Sequence, residues 1–269
     1  MSRNRTVAFF RRIRRLVLIA ATIVGDTILL NLTVGRKAPE ERLAYRASRQ
    51  SAACRRVLRI WNIDLIRHGP EEPAEAAVIA CNHLGVADGF VVSALFPIAI
   101  SGKAELLSVP VVAWVCRSIA MIPVYRQKRL LSADFAEEVA RRLDAGVHVL
   151  VFPEGTTSAG TEVMPFKTGG FAAIEGKPRR IALPIALVVV AVNGEPVNAS
   201  SHALFTWSDP DQSLFRHLWI LLGIDSARIE VVVGQPIPAD NRNRKELADR
   251  CHLQISAASK TGGSNADTS

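Results

Sequence analysis

Residues 78–88 read Val78-Ile79-Ala80-Cys81-Asn82-His83-Leu84-Gly85-Val86-Ala87-Asp88, and the two ends of this stretch belong to different kinds of structure. The first four residues are apolar without alternation, the pattern of a short strand covered on both faces. The chain then turns polar at once. Asn82, His83 and Asp88 therefore emerge where a parallel strand ends, the position at which open α/β sheets hold ligands. His83 and Asp88 stand five residues apart across a turn that includes Gly85. That spacing lets a carboxylate at the start of the next helix fold back onto the imidazole, fix its tautomer and stabilise it once it has taken a proton. The alternative is that Asp88 merely caps a helix from Gly89 to Leu95, a position where Asp is favoured. H-x4-D alone does not decide between them.

Outward from this stretch, further apolar runs alternate with helix-like segments. The strand candidates are 97–101, 119–124, 147–152, 183–192 and 229–233. The clearest helix runs from Ser132, a candidate N-cap, to Gly146, with Asp134, Glu137 and Glu138 early and Arg141 and Arg142 late, as the helix dipole favours. It is expected to join two neighbouring strands. The pattern predicts an α/β fold with a mostly parallel central sheet flanked by helices. A second polar motif, Phe152-Pro153-Glu154-Gly155-Thr156-Thr157, also follows a predicted strand and can occupy the same rim of the sheet. Pro153 and Gly155 shape a turn, and Glu154 with the two hydroxyls offers polar groups to a substrate. Read as bare turn chemistry, the same residues make a strand-to-loop turn with a solvated glutamate.

Taken together, N-H-x4-D and the later F-P-E-G-T resemble the signature pair of the glycerolipid acyltransferases, the family containing 1-acylglycerol-3-phosphate acyltransferases. Lys103-Ala104-Glu105-Leu106 with Pro110, Ile122-Pro123-Val124-Tyr125-Arg126, Met164-Pro165-Phe166-Lys167 and Pro184 extend the likeness in consistent order over roughly residues 77–240. The resemblance implies a glycerol-3-phosphate acyltransferase-like fold, with His83 as catalytic base and Asp88 as its partner. It also implies that Glu154, Gly155 and Thr156 help bind the acceptor, that Lys103 and Arg126 are candidate anchors for a headgroup phosphate, and that acyl-CoA or acyl-carrier protein is the donor. The expected reaction forms phosphatidic acid from 1-acylglycerol-3-phosphate, with no metal or cofactor. A thioester is already activated, so a base that deprotonates the attacking hydroxyl suffices. Two departures bear on the acceptor. Thr157 stands where many phosphatidate-forming members have Arg, and Ala120 stands where Gly is common. Loss of a bidentate cation favours a relative that acylates lyso-ornithine lipid, whereas Lys103, Arg126 and Lys167 still supply charge for a phosphate. From a different class, a catalytically silent lipid-binding protein has no need of both His83 and Asp88. A serine or cysteine hydrolase lacks its G-x-S-x-G motif here.

The N-terminus is a separate matter. Residues 1–67 hold 15 Lys/Arg against Asp26, Glu40, Glu41 and Asp64, a balance of +11; the chain total is +8, so the remainder sums to −3. A basic end on an otherwise acidic protein points to an anionic surface. Few aromatics and no nucleic-acid motif make that surface lipid rather than nucleic acid. Leu16 to Val34 is almost uninterrupted apolar sequence, broken by Gly25 and Asp26. A central acid costs about 2.5–3.5 kcal/mol in a spanning helix, which favours a helix lying in the interface or a hairpin dipping into one leaflet. No A-x-A-like site follows, so cleavage as a signal peptide is not expected. Arg42, Arg46, Arg49, Arg55, Arg56 and Arg59 decorate a second, amphipathic helix that is expected to return along the same membrane surface. The organisation expected is membrane-associating helices over 1–60, an acyltransferase domain over 61–255 and a disordered tail over 256–269, located at the cytoplasmic face of the cell membrane. Cys54, Cys81, Cys116 and Cys251 have no paired spacing and read as apolar fillers. The remaining histidines lack ligand spacing and read as packed or solvated.

Overall fold

The structure is a computed structural model that describes residues 2–125, 132–207, 209 and 211–264. Helices α1 (Ser2–Val34) and α2 (Arg42–Trp61) lead into strands β1 (Ile63–His68) and β2 (Ala77–Cys81). Next come α3 (Ala87–Leu95), β3 (Ile98–Lys103), α4 (Pro110–Ser118), β4 (Ile122–Val124), α5 (Ser132–Asp144) and β5 (His148–Val151). The chain continues through β6 (Ile181–Val192), β7 (Glu195–Pro196), α6 (Ala199–Phe205), α7 (Leu214–Gly223), β8 (Ala227–Val233), β9 (Ile237–Pro238) and α8 (Arg244–Ser264).

Strand order in the sheet is β1-β8-β6-β2-β5-β3-β4, with the short β7 and β9 paired to β6. The pairs β6/β2, β2/β5, β5/β3 and β3/β4 are parallel; β8 runs antiparallel to β6 and parallel to β1. The sheet is thus mostly parallel and mixed at one side. Its two faces are both covered, which is why the strands read as apolar runs. Ala77, Ile79 and Cys81 belong to one core cluster with residues of α2, α3 and α7, while Val78 and Ala80 belong to the other with residues of α5 and α8. Every residue of β2 is fully buried, and each large aliphatic side chain so buried contributes about 1.5–3 kcal/mol.

Because β2, β5, β3 and β4 are parallel neighbours, their C-terminal ends meet at one rim. His83, Glu154, Lys103 and Tyr125 all follow or end those strands.

Several expectations are corrected. The helix from Ser132 to Gly146 does not join neighbouring strands: β3 lies between β4 and β5, so α5 crosses over it. Gly146, with φ +74°, ends that helix as expected. Strand β1 escapes a reading based on apolar runs because it is an edge strand whose alternating pattern carries Asp64, Arg67 and His68. The tail expected over 256–269 is helical as far as Ser264. Ile255 is buried against the sheet, Ala258 packs on the same cluster, and the helix carries on from them. The boundary at residue 60 cuts through the core: Ala47, Ser51, Cys54, Val57, Leu58 and Trp61 of α2 are buried against the domain, so that helix has no apolar face left for a bilayer.

Helix α1 is continuous through Gly25 and Asp26, with no hairpin. The Asp26 carboxylate pairs with Arg56 and, at 3.5 Å, with Arg49, both from α2. The isolated charge suggested by the sequence is therefore compensated within the protein. Thr6–Val34 is long and apolar enough to cross a bilayer by length and composition, yet it is tied down at both ends. Near the start, Arg12 donates to Trp219 O, and the buried Arg15 guanidinium donates to the carbonyls of Ile224 and Asp225. Near the end, Asn31 donates to Ser118 Oγ and Thr33 accepts from Tyr45. Its outer face exposes Val7, Phe9, Phe10, Ile13, Leu16, Val17, Leu18, Ile28, Leu29 and Leu32.

Candidate active site

The β2 strand leaves the sheet through Asn82, whose side chain substitutes for the backbone ladder: Nδ2 donates to Leu187 O at 3.0 Å and Oδ1 accepts from Leu187 N at 2.8 Å. This pins the following residue. His83 Nδ1 lies 2.8 Å from Asp88 Oδ2, and the same oxygen accepts the backbone N–H groups of Leu84 at 2.6 Å and Gly85 at 2.9 Å. A carboxylate only accepts, so Nδ1 carries the proton and Nε2 is the nitrogen left for a substrate. Asp88 is 1% exposed and sits in the first turn of α3, but it makes no capping bond to that helix. The helix-cap alternative fails on this geometry, since the carboxylate points back into its own loop. The imidazole also stacks on Phe152, with centroids 4.0 Å apart and planes inclined by 17°.

The second motif braces the first. Glu154 is 2% exposed; Oε1 accepts His83 N–H at 2.7 Å and Oε2 accepts Met164 N–H at 3.1 Å. Ser158 N–H donates to His83 O at 2.8 Å. Burial raises the Glu154 carboxyl above its usual range, and the two backbone donors oppose that rise. The sequence expectation is that Glu154 reaches a headgroup; here one of its oxygens holds the backbone of the histidine and the other that of Met164, and the side chain does not line the cavity described below. Thr156 is exposed and does not line the cavity described below, whereas Thr157 does. Gly155 has φ +74°, and a Cβ there would sit 2.5 Å from Lys167 Nζ, so glycine answers both the turn and the close approach of that amine.

His83 lines a largely apolar cavity of about 660 Å³, together with residues of α1, α2, α3 and α4. Lys103, Lys167, Thr157, Tyr125 and Trp207 line it near the rim. The Lys103 ammonium lies 5.1 Å from the centre of the Trp207 ring. Arg126, the other expected anchor, lies outside the described residues. Behind the histidine loop, His217 is fully buried and stacks on Trp207 at 5.5 Å; both its ring nitrogens lack a partner among the described residues. Burial holds it down to about 4 and hence neutral. A Cβ on Gly85 would approach its Nε2 to 2.7 Å. The sequence reads His217 as an ordinary packed or solvated histidine and does not single out Trp207. Neither has a sequence spacing to the loop it supports, so no local signal marked them. On the same helix, α7, Leu221 and Leu222 are core, while Trp219 meets Phe9 and Arg12 of α1.

With this geometry in view, residues 62–190 match the Acyltransferase family model. These residues form an acyltransferase-family domain. It carries both motif loops and all of the rim except the part supplied by Trp207 and His217. Among curated proteins, the chain is 26% identical over 188 residues to a lyso-ornithine lipid O-acyltransferase of Rhizobium meliloti, a match covering 67% of this chain and 64% of that protein. It is 27% identical over 261 residues to a 1-acyl-sn-glycerol-3-phosphate acyltransferase of Neisseria meningitidis, covering 96% of each. The chain thus spans just under two thirds of the first relative and nearly all of the second. The acyltransferase domain and its flanking helices share a fold with the crystal structure of the 1-acyl-sn-glycerophosphate acyltransferase PlsC of Thermotoga maritima, at a TM-score of 0.70 and 16% identity over 96% of this chain and 97% of that one. The N-terminal helices belong to that shared fold, in keeping with the packing of α1 and α2 onto the domain.

Proposed function

We propose that the protein is a lysolipid O-acyltransferase in which His83 Nε2 takes the proton of an acceptor hydroxyl as its oxygen attacks the carbonyl of an acyl thioester. The tetrahedral intermediate then collapses, the C–S bond breaks, and the imidazolium returns its proton to the departing thiolate, so an ester and a free thiol result. Asp88 fixes the tautomer and stabilises the imidazolium. Glu154 positions the loop. The observation that carries this reading is the 2.8 Å His83–Asp88 pair, its histidine lining an apolar cavity large enough for a fatty acyl chain. Acyl-CoA or acyl-carrier protein is the donor, and no cofactor takes part in the steps.

For the acceptor we favour 1-acylglycerol-3-phosphate. Lys103 and Lys167 at the rim suit an anionic headgroup, and the product is then phosphatidic acid. The reading with lyso-ornithine lipid is favoured by Thr157, which lines the cavity where a bidentate arginine would grip a phosphate. We also infer that α1 lies in the plane of the membrane interface, its exposed apolar face in the lipid and the exposed Arg14 among anionic headgroups, because a helix pinned at both ends to the domain cannot leave it to cross a bilayer. The cytoplasmic leaflet is the surface this implies.

The test is release of free thiol by the purified protein in detergent, given acyl-CoA and either lysophosphatidate or lyso-ornithine lipid. Thiol release should depend on the acceptor and fall by about 10²–10⁴-fold in His83→Ala. Equal rates in that variant would remove the base, and turnover of lyso-ornithine lipid alone would replace the acceptor.

A further inference from the structure

Trp207 enters the site from the segment between α6 and α7 and is held there in three ways. Its backbone N–H donates to Leu84 O, inside the histidine loop, at 2.7 Å, and its Nε1–H donates to Gln212 O at 2.9 Å. Its ring stacks on the buried His217, with centroids 5.5 Å apart and planes inclined by 17°. An indole fixed at its backbone, at its ring nitrogen and against a second ring has little freedom to turn. The Lys103 ammonium stands over this ring, 5.1 Å from its centre, on an exposed and flexible stem at the end of β3. Both residues line the cavity that His83 lines. The contact thus joins a rigid partner to a mobile one. The negative face of an indole attracts an ammonium, so the ring narrows the positions that the lysine samples. His217 suits the arrangement because burial keeps it uncharged; an imidazolium stacked on the indole would repel the ammonium at the same ring.

We propose that Trp207 is a positioning residue that holds the Lys103 ammonium where it meets the anionic group of the acceptor headgroup, and so sets a preference for charged over neutral lysolipids. This rests on the acyltransferase reading above and specifies how its acceptor is chosen. A lysine placed beforehand loses less freedom when the headgroup arrives, and that saving appears as affinity for anionic acceptors alone. A phosphate and a carboxylate are both met in this way. The link from Trp207 to the histidine loop runs through its backbone N–H, which a leucine at the same place keeps. The ring can therefore be removed without removing that bond.

The experiment measures kcat/KM of the full-length protein in detergent, at saturating acyl-CoA, with lysophosphatidate, lyso-ornithine lipid and monoacylglycerol as acceptors. The readout is the ratio of each charged acceptor to monoacylglycerol, which offers a hydroxyl without a charged headgroup. Trp207→Leu should lower that ratio about fivefold for the charged acceptor the protein prefers, the scale of one cation–π contact, and mainly through KM. Lys103→Met should lower it at least as far, and adding Trp207→Leu to that variant should lower it no further. Trp207→Phe, which keeps an aromatic face, should retain most of the ratio. Trp207→Met supplies the same comparison if the leucine variant does not fold. A ring needed only for packing would slow all acceptors alike and leave the ratio unchanged. That outcome, a wild-type ratio near one, an equal loss with and without Lys103, or an effect confined to KM for acyl-CoA each overturns this proposal and leaves the acyltransferase reading standing. If the wild type consumes none of the acceptors, that reading fails; equal Tm shifts by lysophosphatidate in wild type and Trp207→Leu would then sink the positioning role as well.

Discussion

Both Glu154 oxygens accept backbone N–H groups, one from His83 and one from Met164. An amide in its place has one oxygen to accept and an NH₂ that meets the second N–H donor to donor. Glu154→Gln is therefore expected to lower stability by about 1–3 kcal/mol, the cost of one buried donor left without an acceptor, and to lower kcat/KM through misplacement of the imidazole. A denaturant titration beside the thiol-release assay checks both. Because Glu154 does not line the cavity, KM for the lysolipid should change less than kcat; a pure KM effect would give Glu154 the binding role that its sequence motif suggested. Ala120 is a second residue whose meaning depends on backbone geometry. Its φ of +56° is the left-handed conformation in which an L side chain is strained, which accounts for glycine being common at that place in the resembling family. Nothing in the structure explains the alanine.

Among the elements, α1 is the one whose two faces do different work. The inner face is tied to α2, α4 and α7 through Arg15, Asp26 and Asn31, while the outer face exposes a row of large apolar side chains that includes Phe10 and Val17, 66% and 59% exposed. Phe10→Asp with Val17→Asp should sharply reduce flotation with anionic vesicles while leaving Tm nearly unchanged, since surface changes away from packed contacts shift stability by about 0.5 kcal/mol or less. Undiminished flotation would mean that this face is not the membrane contact. Deleting the first sixty residues would be a poorer experiment. It removes Val57 and Leu58 from the core and confounds anchoring with folding.

At the scale of the whole molecule, folding keeps His217 neutral. Burial lowers it to about 4, against about 6.5 for an exposed histidine. Between those values the unfolded chain binds a proton that the folded one does not, so stability is full above pH about 6.5 and is lost as pH falls toward about 4. The loss between pH 7 and pH 5 should be on the order of 2 kcal/mol from this group. His217→Phe, measured by Tm at both pH values, should narrow the gap, with a remainder from His202, which burial also lowers. An unchanged gap would place the acid sensitivity elsewhere. The sequence by itself determined the class of fold and the two motif loops, because burial on both faces writes itself as unbroken apolar runs and a parallel strand puts its polar residues at its C-terminal end. It also made His83 and Asp88 recognisable as a pair, since their contact spans only five residues of one loop. The tertiary structure alone decided that Glu154 braces the histidine loop, that Asp26 is neutralised by Arg49 and Arg56, and that Trp207 and His217 back the site. Each of these depends on which strands and helices become neighbours, and a hydrogen bond or ion pair between residues far apart in the chain leaves no periodicity in the sequence to be read.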